Sequence, residues 1–326
     1  MKKIWSIILE DRFLFLSLIG LIIFIIFSLK VKGFFSLYNL TNMTQYAVEL
    51  GLLGLAEMFV IVSGGGSIDL SVGSMMSLSS MVLGILVGKV GVNLYFSIIL
   101  TLLVGIIVGT INGFLVSYIK IPAFLATLST LFIYKALALI IAVDPRFGPN
   151  LMPVSTFPES FYFVGQYKVG GQIPFQVIFI FIPVLFICHF LLSKTSFGRK
   201  IYGVGTNETA ALFSGINIKK IRFIAFIFSG FLSALAGWII TSRIASARPD
   251  IGSGYELQAI TIAVLGGVSI TGGERTVLGV LASILVITLI YNGMQLARIH
   301  QIWQLGALGL ILIGSVLLNK LLLQKY

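Results

Sequence analysis

Apolar residues run in long stretches along this chain, and polar residues gather in short intervals between them. Most of the stretches have the roughly 17–25 residues a helix needs to cross a bilayer. They are Phe13–Leu29, Thr44–Val62, Leu70–Gly88, Leu94–Tyr118, Ala123–Ala142, Pro174–Leu192, Ile221–Thr241, Leu257–Val268, Thr276–Met294 and Ile302–Leu318. The eighth is short for a full crossing and reads as a tilted or broken element. Segments of about ten residues with strict in–out alternation, the mark of a membrane barrel, are not seen. The pattern predicts an all-α polytopic membrane protein of about ten transmembrane helices, one domain over residues 1–326.

Small residues recur three or four apart within several runs. Gly73, Ser77, Ser80, Gly84 and Gly88 do so in the third, Gly105, Gly109 and Gly113 in the fourth, and Ser229, Ser233 and Gly237 in the seventh. Such faces let helix backbones approach closely in lipid. Thr110–Phe114 and Ile290–Met294 each carry an Asn-Gly pair at the end of a run. In a ten-span topology those two runs point in opposite directions, as an inverted repeat would have them.

Composition agrees with the bilayer as solvent. The chain is 58% hydrophobic and 10% charged, with mean hydropathy +1.07, whereas soluble domains are about 25% charged. The net charge of +11 sits mostly at the flanks of the runs. There it sets topology and gives no reason to expect nucleic-acid binding. Ten crossings put both ends on one side. Thirteen basic residues share that side, among them Lys120, Lys194, Arg199, Lys200, Lys219, Lys220, Arg222 and Arg275, against eight on the other, Lys30, Lys32, Lys89, Arg146, Lys168, Arg243, Arg248 and Arg298. Both termini are therefore expected in the cytoplasm. Lys2 and Lys3 precede the first run, which lacks a small-residue cleavage site and reads as a retained span. Residues 143–173 and 242–255 become extracytoplasmic loops. Pro145, Pro149, Pro153 and Pro158 predict an extended, stiff course for the first. Either loop can be a plain connection or a docking face, Arg243 and Arg248 of the second being suited to carboxylate partners.

The longest polar interval, residues 193–221, becomes a cytoplasmic loop. Within it a helical segment from Asn207 to Phe213 can be capped by Thr206 or Asn207. Gly215, after Ser214, can close it in a left-handed conformation. A short capped helix between basic flanks suggests a surface made for a partner.

Candidate chemistry is sparse. Residues 64–74, with Gly65, Gly66 and Asp69, form a glycine-rich turn in which Asp69 or Ser67 can cap the following helix. Residues 266–274, with Gly266, Gly267, Gly272 and Gly273, form a second such turn. Neither has the preceding strand and following lysine of a phosphate loop. Within the runs, Glu57, Asn112, Gln258, Asn292 and Gln295 are polar and can line a path for a polyhydroxylated solute, with Lys135 also left inside a span. The amides donate and accept without demanding a charge. Glu57 is costly in lipid and should face the bundle interior. The lone Cys188 excludes an intrachain disulfide, and His189 and His300 stand alone. No metal site, cofactor or catalytic set is expected.

The chain resembles the permease subunits of ribose-type sugar importers of the ATP-binding-cassette class. The matching pieces are Ser67–Ser74, Phe197–Arg199, Gly205–Ala211, Ser214–Asn217, Gly254–Leu257, Val264–Gly267, Gly272–Gly273 and Asn292–Gly293, in the family's order. Ser67 departs from the glycine usual there. The resemblance implies a multi-pass protein of the bacterial cell membrane that is not itself an enzyme. It implies two permease chains, identical or paralogous, around one path, a cytoplasmic ATPase subunit under each, and an extracytoplasmic sugar-binding protein. It makes Thr206, Asn207, Glu208, Thr209, Ala210, Ala211, Ser214 and Gly215 the coupling helix and its edges. The competing reading is an ion-coupled secondary transporter of a small polar solute working without an ATPase. That reading would need Glu57 or Asp69 as its coupling acid.

Overall fold

The computed structural model describes residues 12–143, 157–273 and 277–323. Among them run thirteen helices: α1 Arg12–Lys30, α2 Leu37–Val62, α3 Val72–Gly84, α4 Leu94–Ser117, α5 Ala123–Ala142, α6 Glu159–Gln166, α7 Ile182–Lys194, α8 Ser196–Thr206, α9 Glu208–Phe213, α10 Ile218–Ile244, α11 Tyr255–Leu265, α12 Val277–Leu296 and α13 Gln301–Leu323. A π-helical turn, Ile85–Val90, extends α3, and another, Val177–Phe181, leads into α7. A two-stranded ribbon pairs β1 Lys168–Val169 with β2 Ile173–Pro174.

Each predicted crossing has its helix. Eight are long and apolar enough to span a membrane, and α11 is a shorter apolar helix. Helix α2 is the hub, its side chains buried from Ala47 to Val62. A helix buried on every side in a chain this apolar must be surrounded by other helices. Helices α1, α5 and α7 lie at the periphery and expose large apolar side chains, such as Leu21, Phe132 and Phe186. The small-residue stripe of α4 meets α10. A Cβ on Gly105 would stand 2.4 Å from Ala234 Cβ, and one on Gly109 2.4 Å from the Phe226 carbonyl. Only hydrogen fits there, and the close approach supplies the dispersion that lipid cannot outcompete.

Three local features differ from the expectation. Residues 159–166 are helical and 168–174 fold back on themselves as the ribbon, so the second half of the first long loop does not run as one extended course. No proline lies between Pro158 and Pro174, and Pro158 itself occupies the position before α6, where a missing N–H costs nothing. The expectation for Pro145, Pro149 and Pro153 falls outside the described residues, as do Lys2, Lys3, Glu274 and Arg275. The polar interval also holds a second helix, α8. It is amphipathic, with Ile201 and Val204 buried, and its glycines masked it in the sequence.

The eighth crossing is broken. Helix α10 reaches the level of Ser80 at Thr241, where the two hydroxyls meet at 2.7 Å. The chain turns at Ala245 in a left-handed conformation and comes back without helix. Gly252 then lies against the start of α3, its N–H donating to Ser77 Oγ at 2.9 Å. A Cβ on Gly252 would stand 1.9 Å from the Gly73 carbonyl. Helix α11 thus begins inside the bundle, which is why it is short. Of residues 242–254, Arg248 and Asp250 are exposed, and Ser242, Ala247 and Gly252 are buried.

Candidate functional site: the coupling loop and its supports

The loop between α7 and α10 is built by a succession of caps. Thr195 Oγ1 accepts from the Gly198 N–H to start α8. Asn207 Oδ1 accepts from the Ala210 N–H at 2.9 Å to start α9, so Asn207 is the cap and Thr206 ends the preceding helix. Ser214 Oγ donates back to the Ala210 carbonyl. Gly215, at φ +74°, lets Ile216 N–H reach the Ala211 carbonyl. That closes the last turn as a left-handed glycine does. Asn217 then caps α10 through the Lys220 N–H. The α9 tip leaves Leu212 61% and Phe213 86% exposed.

This loop is fixed to the bundle at two places. Glu208 on α9 is ion-paired with Arg222 on α10. Arg222 also donates to the Ser63 carbonyl, just past the end of α2. Gly65 packs against that pair so closely that a Cβ would stand 2.4 Å from the guanidinium. The second anchor is a three-way glycine contact. A Cβ on Gly205 would lie 2.1 Å from the Val62 carbonyl and 2.3 Å from the Gly273 nitrogen, and one on Gly272 2.5 Å from Gly64 Cα. Gly273 N–H donates to Val62 O at 3.3 Å. Gly64, Gly65, Gly66, Gly267, Gly272 and Gly273 all have positive φ. The two glycine-rich turns and the α8–α9 joint therefore meet at one point.

Asp69 does not cap α3; Ser71 holds the cap position. Asp69 is instead the centre of a buried polar network. Its Oδ1 accepts from the Ser71 N–H and hydroxyl at 3.0 and 2.6 Å, and its Oδ2 from the Ser229 hydroxyl at 2.8 Å. Its own N–H donates to Glu57 Oε1 at 3.0 Å. Asn112 Nδ2 donates to Ser71 Oγ at 2.7 Å, and Tyr134 OH donates to Asn112 Oδ1 at 3.1 Å. Helices α2, α4, α5 and α10 are joined around this one residue. Burial forces such a network to be nearly complete, since a lone polar group there costs about 1–3 kcal/mol.

The five polar residues considered for a solute path are not gathered together. Glu57 and Asn112 are buried in the Asp69 network. Asn292 exchanges two amide hydrogen bonds with Asn39, at 2.9 and 3.0 Å. Gln258 is half-buried on α11 and Gln295 exposed near the end of α12. Arg243 is likewise not free for a carboxylate on another protein. It is 13% exposed and forms a bidentate pair with fully buried Glu49, at 2.6 and 2.9 Å, and its guanidinium stacks on Tyr46 at 4.2 Å. The sequence pattern singles out neither Ser71, Ser229 and Tyr134 as members of the Asp69 network nor Glu49 as the partner of Arg243. Nothing local marks Glu49, Ser229 or Tyr134, whose partners lie far along the chain, whereas Ser71 sits two residues from Asp69. Among the described residues no group of acids, histidines or cysteines could hold a metal ion.

A family model described as branched-chain amino acid transport system / permease component matches residues 39–317. The ribose import permease protein of Haemophilus influenzae is 35% identical over 322 residues, covering 98% of this chain and 96% of its own. That of Bacillus subtilis is 36% identical over 300 residues, 92% of this chain and 90% of its own. A D-allose transport system permease protein of Escherichia coli is 33% identical over 314 residues, 96% and 92% of the two chains. No solved structure matches the chain.

Proposed function

The chain belongs to this family of transport-system permease components, and from that premise we propose that it forms the membrane path of an ATP-driven importer for a monosaccharide. It is a multi-pass membrane protein of the bacterial inner membrane. A cytoplasmic ATPase grips the α9 tip, and an extracytoplasmic binding protein delivers the sugar. A second permease chain completes the path, and both termini lie in the cytoplasm.

The observation that carries this reading is the tip itself. A six-residue helix, capped at both ends, presents Leu212 and Phe213 to solvent on the most basic loop of the chain. Two adjacent large apolar side chains on a rigid tip are costly unless a partner covers them. The glycine contact at Gly205 and the Glu208–Arg222 pair link that tip to both glycine-rich turns and to the end of α2. A pull on α9 is therefore delivered into the bundle core without a soft joint.

Reconstitution tests the reading. Proteoliposomes holding this chain with its ATPase should take up sugar when ATP is inside and binding protein is outside. Glu208→Arg should hydrolyse ATP without uptake, and adding Arg222→Glu should restore uptake by exchanging the charges. Uptake by the chain alone, driven by an ion gradient, would replace this reading with the secondary transporter.

A further inference from the structure

Lys135 is a charged side chain that the bundle leaves on its flank, inside a span. It lies in α5 with about 10 Å of helical rise to the nearer end, Ala142, at about 1.5 Å per residue. Its side chain is exposed, beside apolar neighbours such as Phe132. A lysine that far inside a span is too deep to reach the interface easily, and facing lipid would cost several kcal/mol by most scales. Such residues face water or a partner.

The structure supplies the rest of a site. Lys135 shares a cavity of ≈ 40 Å³ with Ser74 and Ser77 of α3, Ser253, Glu256 and Leu131. Glu256 accepts from the Gly254 N–H at 3.2 and 3.1 Å through its two oxygens. The cavity lies where the eighth crossing is broken, beside the non-helical stretch that ends at Gly254. Backbone without helical hydrogen bonds is tolerated at membrane depth only where protein buries it or water reaches it. Gly252 is buried, whereas Ser253 is exposed. An exposed cation, a carboxylate, three hydroxyls and an open backbone thus converge on one spot.

We propose that Lys135, Glu256, Ser74, Ser77 and Ser253 line the translocation path and meet the hydroxyls of a neutral polyhydroxylated solute as it passes. The ammonium donates to one hydroxyl of a vicinal pair and the carboxylate accepts from the other. This assignment rests on the permease reading and replaces the scattered amides as the place where solute is met. It also fixes which flank of the chain faces the path: the side of α5 bearing Lys135, not the opposite side bearing Ile133 and Leu137.

Cysteine accessibility in the assembled transporter tests it. Native Cys188 is buried and serves as the silent background. Lys135→Cys and Glu256→Cys should react with a cationic, membrane-impermeant methanethiosulfonate in at least one nucleotide state, and the reaction should block uptake. Ile133→Cys and Leu137→Cys, at similar depth, should stay unlabelled. For a variant that keeps its own chemistry, Lys135→Arg should retain most uptake while Lys135→Met loses at least tenfold, seen mainly in KM. Absence of labelling at both path positions, equal labelling at the control positions, or equal uptake by the Arg and Met variants overturns the assignment. If labelling fails while Glu208→Arg still separates hydrolysis from uptake, the path assignment falls and the importer reading stands.

Discussion

Truncating Phe213 to alanine isolates the grip on the ATPase from the fold. The ring is 86% exposed, so its removal takes little packing from the chain. A Phe side chain carries about 150–250 Å² of surface. Burying the part that alanine lacks, on the order of 100 Å², is worth about 2.5 kcal/mol at about 25 cal/mol per Å². That is about sixtyfold in affinity, at about 1.4 kcal/mol per tenfold, and in the range of an interface hot spot. The assay is titration of the nucleotide-bound ATPase against the chain in nanodiscs, with thermal unfolding of the chain measured in parallel. Affinity should fall by about 30- to 100-fold, and the unfolding midpoint should stay where it was. Unchanged affinity would refute the idea that this tip seats in the ATPase. A lowered midpoint would mean that the ring packs on the chain itself.

Other perturbations separate the supports from the tip. Gly205→Ala should lower the unfolding midpoint by overpacking worth about 1–3 kcal/mol, because its Cβ has nowhere to go between Val62 and Gly273. Arg243→Met should be destabilising by about 3–5 kcal/mol in unfolding experiments, since it strands buried Glu49; adding Glu49→Leu should recover most of that loss. Asp69→Ala should cost at least about 1–3 kcal/mol, by leaving the Ser229 and Ser71 hydroxyls without their shared acceptor, and Asp69→Asn should cost less. For the amide pair, replacing Asn39 by leucine should cost about 1–2 kcal/mol, and the Asn39→Leu, Asn292→Leu double variant should cost less than the sum of its parts.

The apolar runs alone determine that this chain is a helical membrane protein, because a bilayer imposes one length and one hydrogen-bonding solution on every crossing. Helix α5 has the bounds that its run predicts, Ala123–Ala142. The α9 caps were also legible, since Asn207 and Gly215 act on their own neighbours. What the sequence could not reveal depends on partners far along the chain. Asp69 looks like a local cap until Ser229 and Asn112 are brought beside it. Arg243 looks like an outward fork until Glu49 closes on it. The glycine turns look like two separate bends until Gly205 is seen between them. Lys135 reads as an anomaly in a span until the broken crossing sets Glu256 and three serines next to it. Periodicity and capping are short-range and can be read along one strand of text. The pairing of buried charges is a property of which helices touch, and only the packed bundle decides that.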